Sequence, residues 1–232
     1  MSSEEITVQL DAGKAVTALV YRAESDSKNA RVTLILGHGA GAGQRSSFMV
    51  AFARALEALG VDAVTFDFPY MQEKRRVPDR GPILESCYRK VISSVATNVA
   101  GHGERLFIGG KSMGGRIATQ VAAADPQLAI AGLVLLGYPL HPPGAPDKRR
   151  DQHLPAIARP VLFVQGSRDT FGTPEELEPA VSAMRPTPTL HVVANGDHSF
   201  KVRGKDSKAQ QEVYSDIQRV ITTWMTSIVK GR

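Results

Sequence analysis

Residues 105–116 constrain this chain more than any other stretch. An apolar run at 106–108 meets Gly109 and Gly110, then Lys111, Ser112, Met113 and Gly114, and a helix-competent segment follows over 116–124. Gly110-Lys111-Ser112-Met113-Gly114 fits G-x-S-x-G between a strand and a helix, the setting in which a serine is lifted above a sheet on a sharp, strained turn. Positions 110 and 114 must be small there, because strand and helix approach too closely for a Cβ. The turn leaves the Met113 N–H at a helix N-terminus, where developing negative charge is favoured. Taken alone, the same pattern describes a glycine-rich turn with an incidental serine, so the rest of the chain decides.

The rest alternates strand with helix. Residues 6–10 and 16–21 alternate apolar and polar around Asp11-Ala12-Gly13-Lys14, which predicts an antiparallel hairpin at a sheet edge. A polar turn at 24–30 leads to 32–36, an apolar run expected of a strand buried on both faces. It ends in Gly37-His38-Gly39-Ala40-Gly41-Ala42-Gly43. Phe48, Phe52, Leu56 and Leu59 then recur at helical spacing, with Ser46 or Ser47 as N-cap and Gly60 as the stop. Residues 61–68 predict a strand closed by Pro69, 70–81 a basic loop, and Pro82 the opening of a helix to about residue 100.

Beyond the serine turn, 130–136 and 161–165 are apolar runs, and 190–194 is the last strand. The connection from Gly137 to Arg159 is proline-rich and has room for at most a short helix around 152–157. Thr173-Pro174-Glu175-Glu176 is a capping box with proline at the first helical position. Val213, Ile217, Val220, Ile221, Trp224 and Ile228 stripe a closing helix. The expected fold is α/β: a mostly parallel, doubly wound sheet with an N-terminal antiparallel hairpin, residues 1–232 as one domain, and no large lid.

Ligands bind beyond the carboxyl ends of such strands. Acyl transfer by a serine needs a base, an orienting acid and an oxyanion hole, and this turn takes them in the order Ser, Asp or Glu, His. Asp169 follows a buried strand in Gly-Ser-Arg-Asp, and His198 follows the last strand in Gly-Asp-His-Ser-Phe. Ser112, Asp169 and His198 are therefore the expected catalytic residues, with Asp67 the alternative acid. Asp197 reads as a local cap, and His102, His141, His153 and His191 as structural or surface groups. The glycine-rich turn after 32–36 supplies a second oxyanion donor, Ala40 first and Gly39 second, beside Met113. His38 reads chiefly as a loop-ordering residue; His38, Gly39, Lys111 and Arg168 are the expected substrate-binding positions, the last two because each adjoins a triad residue.

Composition narrows the classes. The single cysteine, Cys87, cannot form an internal disulfide, and its place in a helical apolar pattern predicts a packed core thiol. With no signal peptide, a cytoplasmic setting is expected. No apolar run suggests a membrane span. A net charge of +5 without aromatic–basic interleaving argues against nucleic acid as a partner. No metal site and no cofactor is expected; the expected partner is a small-molecule ester, and the sequence does not choose between monomer and dimer.

The motifs resemble those of α/β-hydrolases of the dienelactone-hydrolase-like branch, closest to small proteins related to the testis-expressed hydrolase-like family. The resemblance rests on Leu-Gly-His-Gly-Ala-Gly, Phe-Asp-Phe-Pro-Tyr, Gly-Gly-Lys-Ser-Met-Gly-Gly-Arg, Gly-Tyr-Pro-Leu-His-Pro-Pro-Gly, Val-Gln-Gly-Ser-Arg-Asp and Gly-Asp-His-Ser-Phe. It implies a Ser112–His198–Asp169 triad and hydrolysis of esters or related acyl bonds. Dienelactone hydrolases proper carry cysteine where this chain has Ser112, which points away from a dienelactone substrate. The resemblance also leaves two other readings: a quiet scaffold, since some relatives serve in chromatin-associated assemblies, and cofactor-free perhydrolysis on the same triad.

Overall fold

A computed structural model describes residues 3–24, 32–100 and 105–231. Residues 25–30 of the turn expected over 24–30, and His102, lie outside the described residues. Strands β1 (Glu4–Gln9) and β2 (Ala15–Tyr21) form the predicted hairpin, paired from Glu4↔Val20 to Gln9↔Ala15. With β3 (Val32–Gly37), β4 (Val61–Phe66), β5 (Leu106–Lys111), β6 (Gly132–Leu136), β7 (Val161–Gly166) and β8 (Thr189–Val193) they build one sheet in the order β1-β2-β4-β3-β5-β6-β7-β8. β2 joins β4 antiparallel, and every later pairing is parallel.

β3 to β7 are buried along their whole length, which is why their sequences are continuous apolar runs rather than alternating ones. Alternate residues feed two cores. Ile35, Val64, Ile108, Leu133 and Phe163 pack with Leu84, Val91, Ile117 and Leu177 from helices α3 (Gly81–Asn98), α4 (Met113–Ala124) and α5 (Pro174–Ser182). Leu34, Leu36, Phe107, Val134 and Val164 pack with Phe52, Leu56, Ile217 and Ile221 from α1 (Ser47–Ala58) and α6 (Ser207–Lys230). Cys87 is buried on α3, and burial pushes its thiol pKa up to about 12. No helix among the described residues is long and apolar enough to cross a membrane.

Two boundaries differ from the sequence expectation. The strand predicted to reach residue 68 stops at Phe66, and a short helix α2 (Pro69–Gln72) replaces the start of the expected loop. The cause is local: the Phe68 N–H leaves the ladder to donate to His38 Nε2 at 3.1 Å, and Pro69 then opens the helix. Between β6 and β7 the only described helical structure is a single 3-10 turn at Leu154–Ala156, so no lid is built there.

Candidate active site

Ser112 sits between β5 and α4 with φ 51° and ψ −115°, a conformation that costs a non-glycine residue roughly 1–3 kcal/mol. The surroundings enforce it. The Ser112 N–H donates to the Leu136 carbonyl at 2.9 Å, and its own carbonyl accepts from the Arg116 N–H at 3.0 Å, so the residue ends a strand ladder and starts a helix at once. A Cβ on Gly110 would stand 2.3 Å from the Gly37 carbonyl oxygen, and one on Gly114 would stand 2.2 Å from it. The two glycines of the motif are there because β3 passes directly against the turn.

The loop after β8 returns His198 to this serine. His198 Nε2 lies 2.8 Å from Ser112 Oγ, and Nδ1 lies 2.8 Å from Asp169 Oδ2. This network assigns the proton to Nδ1 and leaves Nε2 to accept from the hydroxyl. Asp169 is buried and also accepts from Gln165 Nε2 at 2.9 Å and from the Phe171 N–H at 2.8 Å. The Phe171 ring stacks on the imidazole at 4.2 Å between centroids. Asp197 caps its own turn, accepting from the Ser199 and Lys201 N–H groups at 2.7 and 2.9 Å, and so fixes the loop instead of pairing with His198.

Sequence reasoning did not single out Gln165. Its amide links the Tyr138 N–H (2.8 Å), the Gly172 carbonyl (2.7 Å) and Asp169, and so holds the carboxylate in place. A fully buried glutamine inside an apolar strand is the signal that marks it.

The glycine-rich turn after β3 forms the facing wall. His38, read chiefly as a loop-ordering residue and also as a substrate position, is fully buried. Nδ1 bonds the Gly39 carbonyl at 2.7 Å and Nε2 accepts from the Phe68 N–H, so both ring nitrogens are spent on backbone. Burial lowers its pKa from the ordinary histidine value. Asp67 accepts the Gln44 N–H at 2.8 Å and a Gln44 side-chain N–H at 3.2 Å, and so holds this turn. The Tyr70 hydroxyl donates to the Ala40 carbonyl at 2.9 Å. Gly39 comes so near that a Cβ there would lie 3.8 Å from the Ser112 Cβ.

Over Ser112 opens a cavity of about 320 Å³ whose walls include Ala40, Ala42, Phe48, Met49, Phe171 and Lys111. Lys111 is only 8% exposed, and burial lowers its pKa to about 8 against the pull of Asp169 and Asp197. Arg168, the other expected substrate contact, is not among these walls. It borders a separate crevice of about 530 Å³ with Lys201, Arg203 and Lys205 beside Asp197 and Asp206. Adjacency to Asp169 in sequence sent Arg168 outward, because Asp169 itself turns in. His153 is tied to Thr119 Oγ1 at 2.8 Å, and burial drops its pKa to about 4.

Residues 30–226 match the family described as Alpha/beta hydrolase domain. The chain belongs to the α/β-hydrolase family. Solved structures agree in fold. This α/β hydrolase superposes on a lidless α/β serine hydrolase from Xanthomonas campestris with a TM-score of 0.71 at 22% identity, covering 97% of this chain and 95% of that one. An α/β serine hydrolase homologue from Coxiella burnetii gives 0.71 at 19% identity over 100% and 98%. A dienelactone hydrolase from Anabaena variabilis gives 0.70 at 18% identity over 94% and 97%.

Proposed function

We propose that this α/β hydrolase cleaves esters of small substrates through a Ser112–His198–Asp169 triad and an acyl-enzyme. The observation that carries the reading is the unbroken line from Ser112 Oγ through both nitrogens of His198 to Asp169, each step 2.8 Å. His198 Nε2 takes the hydroxyl proton as Ser112 attacks the acyl carbon. Asp169 holds the imidazole in the tautomer that leaves Nε2 free and stabilises the imidazolium that forms. His198 then gives the proton to the leaving alcohol, and water, activated the same way, resolves the acyl-enzyme.

Charge on the carbonyl oxygen is met by the Met113 N–H, which has no acceptor in the preceding turn because it opens α4. The second donor is the Ala40 N–H. Its peptide is planar and trans, and the Gly39 carbonyl faces His38, so the Ala40 N–H points the opposite way, out of the loop. The open, lidless mouth supports short acyl groups, and each CH₂ it did bury would contribute only ~0.8 kcal/mol.

Labelling with a fluorophosphonate probe tests the reading. Wild type should label and Ser112→Ala should not. A folded wild type that stays unlabelled, or equal labelling of both, removes the hydrolase reading and leaves a scaffold.

A further inference from the structure

Lys111 is the one feature of the site that the triad chemistry leaves unexplained. It is the last residue of β5, immediately before the nucleophile, yet its ammonium is buried and has no hydrogen-bond partner among the described residues. Removing a cation from water without such partners is costly, and a position used only for packing would be better filled by an apolar side chain of similar volume.

The surroundings are specific. Lys111 Nζ lies 3.0 Å from the point where a Cβ on Gly137 would stand, and His198 Nδ1 lies 3.3 Å from that same point. Gly137, at φ +63° just beyond β6, thus leaves the space into which the ammonium fits behind the imidazole. The ammonium also lies over the Phe200 ring, 5.8 Å from its centroid. The charged groups acting on it are Asp169, after β7, and Asp197, in the loop after β8; His198 is its titratable neighbour.

From this placement we infer that Lys111 is a positioning residue for the triad: a buried counter-charge to Asp169 that keeps a proton off His198 at mildly acidic pH. The inference rests on the triad reading above. An imidazole beside a buried carboxylate alone is drawn toward the imidazolium, and in that form Nε2 cannot accept the Ser112 proton. A cation close to that same imidazole opposes the second positive charge. Because the pKa of Lys111 is lowered to about 8, its influence is present below that pH and fades above it.

The test is the rate of fluorophosphonate labelling of Ser112 from pH 5 to 10, for wild type, Lys111→Met and Lys111→Arg. With the charge removed, the acid limb should move up by about one pH unit, so labelling near pH 5.5 falls by about tenfold. The gap between wild type and Lys111→Met should close by about pH 9, where an imidazole is neutral with or without a neighbouring charge. Lys111→Arg should keep the wild-type acid limb. A merely structural role predicts a ratio that does not change with pH, and that result, or superimposable profiles, overturns the inference. If Lys111→Met does not fold, Lys111→Gln serves as the neutral variant. Wild type that labels at no pH fails the triad reading itself, whereas labelling with unshifted variant profiles fails this inference alone.

Discussion

Two corners of the sheet carry the same residue types and do different things. After β3 and β4, His38, Asp67 and Gln44 meet; after β7 and β8, His198 and Asp169 meet above Gln165. In the first corner the carboxylate lies 3.7 Å from the imidazole, and both ring nitrogens are engaged by main-chain groups. In the second the carboxylate sits at 2.8 Å and one nitrogen is left for a hydroxyl. On the proposed function, an Asp–His pair serves chemistry or scaffolding according to which partner holds the second nitrogen.

The sharpest way to break this comparison is to remove each acid in turn. Asp169→Asn should leave the fold intact and lower turnover on p-nitrophenyl acetate by up to ~10⁴, the loss expected when an orienting carboxylate is replaced. Asp67→Asn should keep turnover within about tenfold and instead lower stability by about 1–3 kcal/mol, since buried donors of Gln44 lose a charged acceptor. The opposite outcome would make the first corner the reactive one.

The next test concerns what the second corner opens onto. Acetyl and butyryl esters should be hydrolysed faster than the dodecanoyl ester, because the cavity over Ser112 is about 320 Å³ and unlidded. A preference for dodecanoyl would place a long acyl channel where none is seen among the described residues.

A smaller effect separates the corners by pH. Burial lowers the pKa of His38, so below about 6.5 the unfolded chain takes up a proton that the native chain refuses. Stability must then fall as pH drops through that range. His153, lowered to about 4, adds to the same slope. Urea unfolding at pH 7.5 and 5.5 should show a loss in wild type that is reduced in His38→Asn; an unchanged loss would mean that His38 is not held neutral.

The smallest expected effect is electrostatic steering. The crevice bordering the His198 loop carries Arg168, Lys201, Arg203 and Lys205 against two carboxylates. Other basic residues near the strand ends are neutralised locally, as Arg45 is by Glu5 and Arg149 by Asp151. For a carboxylate-bearing ester kcat/KM should drop with added salt, by several-fold at most, while a neutral ester of similar size stays level. Equal salt dependence would confine those cations to solvation.

Much of this was legible beforehand, for a physical reason. Buried parallel strands must be apolar throughout, and glycine is required where β3 crosses the serine turn, so the elements and the order Ser112, Asp169, His198 could be read from residue types. What could not be read depends on contacts between distant segments. Phe68 left its strand because His38 took its N–H. Arg168 faces away because Asp169 faces in. Lys111 places its ammonium where Gly137 and Phe200, remote in sequence, come together.

The crossing of β3 under the serine turn has a consequence for redesign. A Cβ on Gly110 would meet the Gly37 carbonyl oxygen at 2.3 Å, and one on Gly114 the same oxygen at 2.2 Å. Mutational libraries that include these positions will return mostly unfolded chains, so altered selectivity has to be sought elsewhere. Ala40, Ala42, Phe48 and Ser199 border the cavity and lie outside that crossing. Diversity belongs on that rim, where a new side chain meets a bound acyl group before it meets the frame that aims the serine.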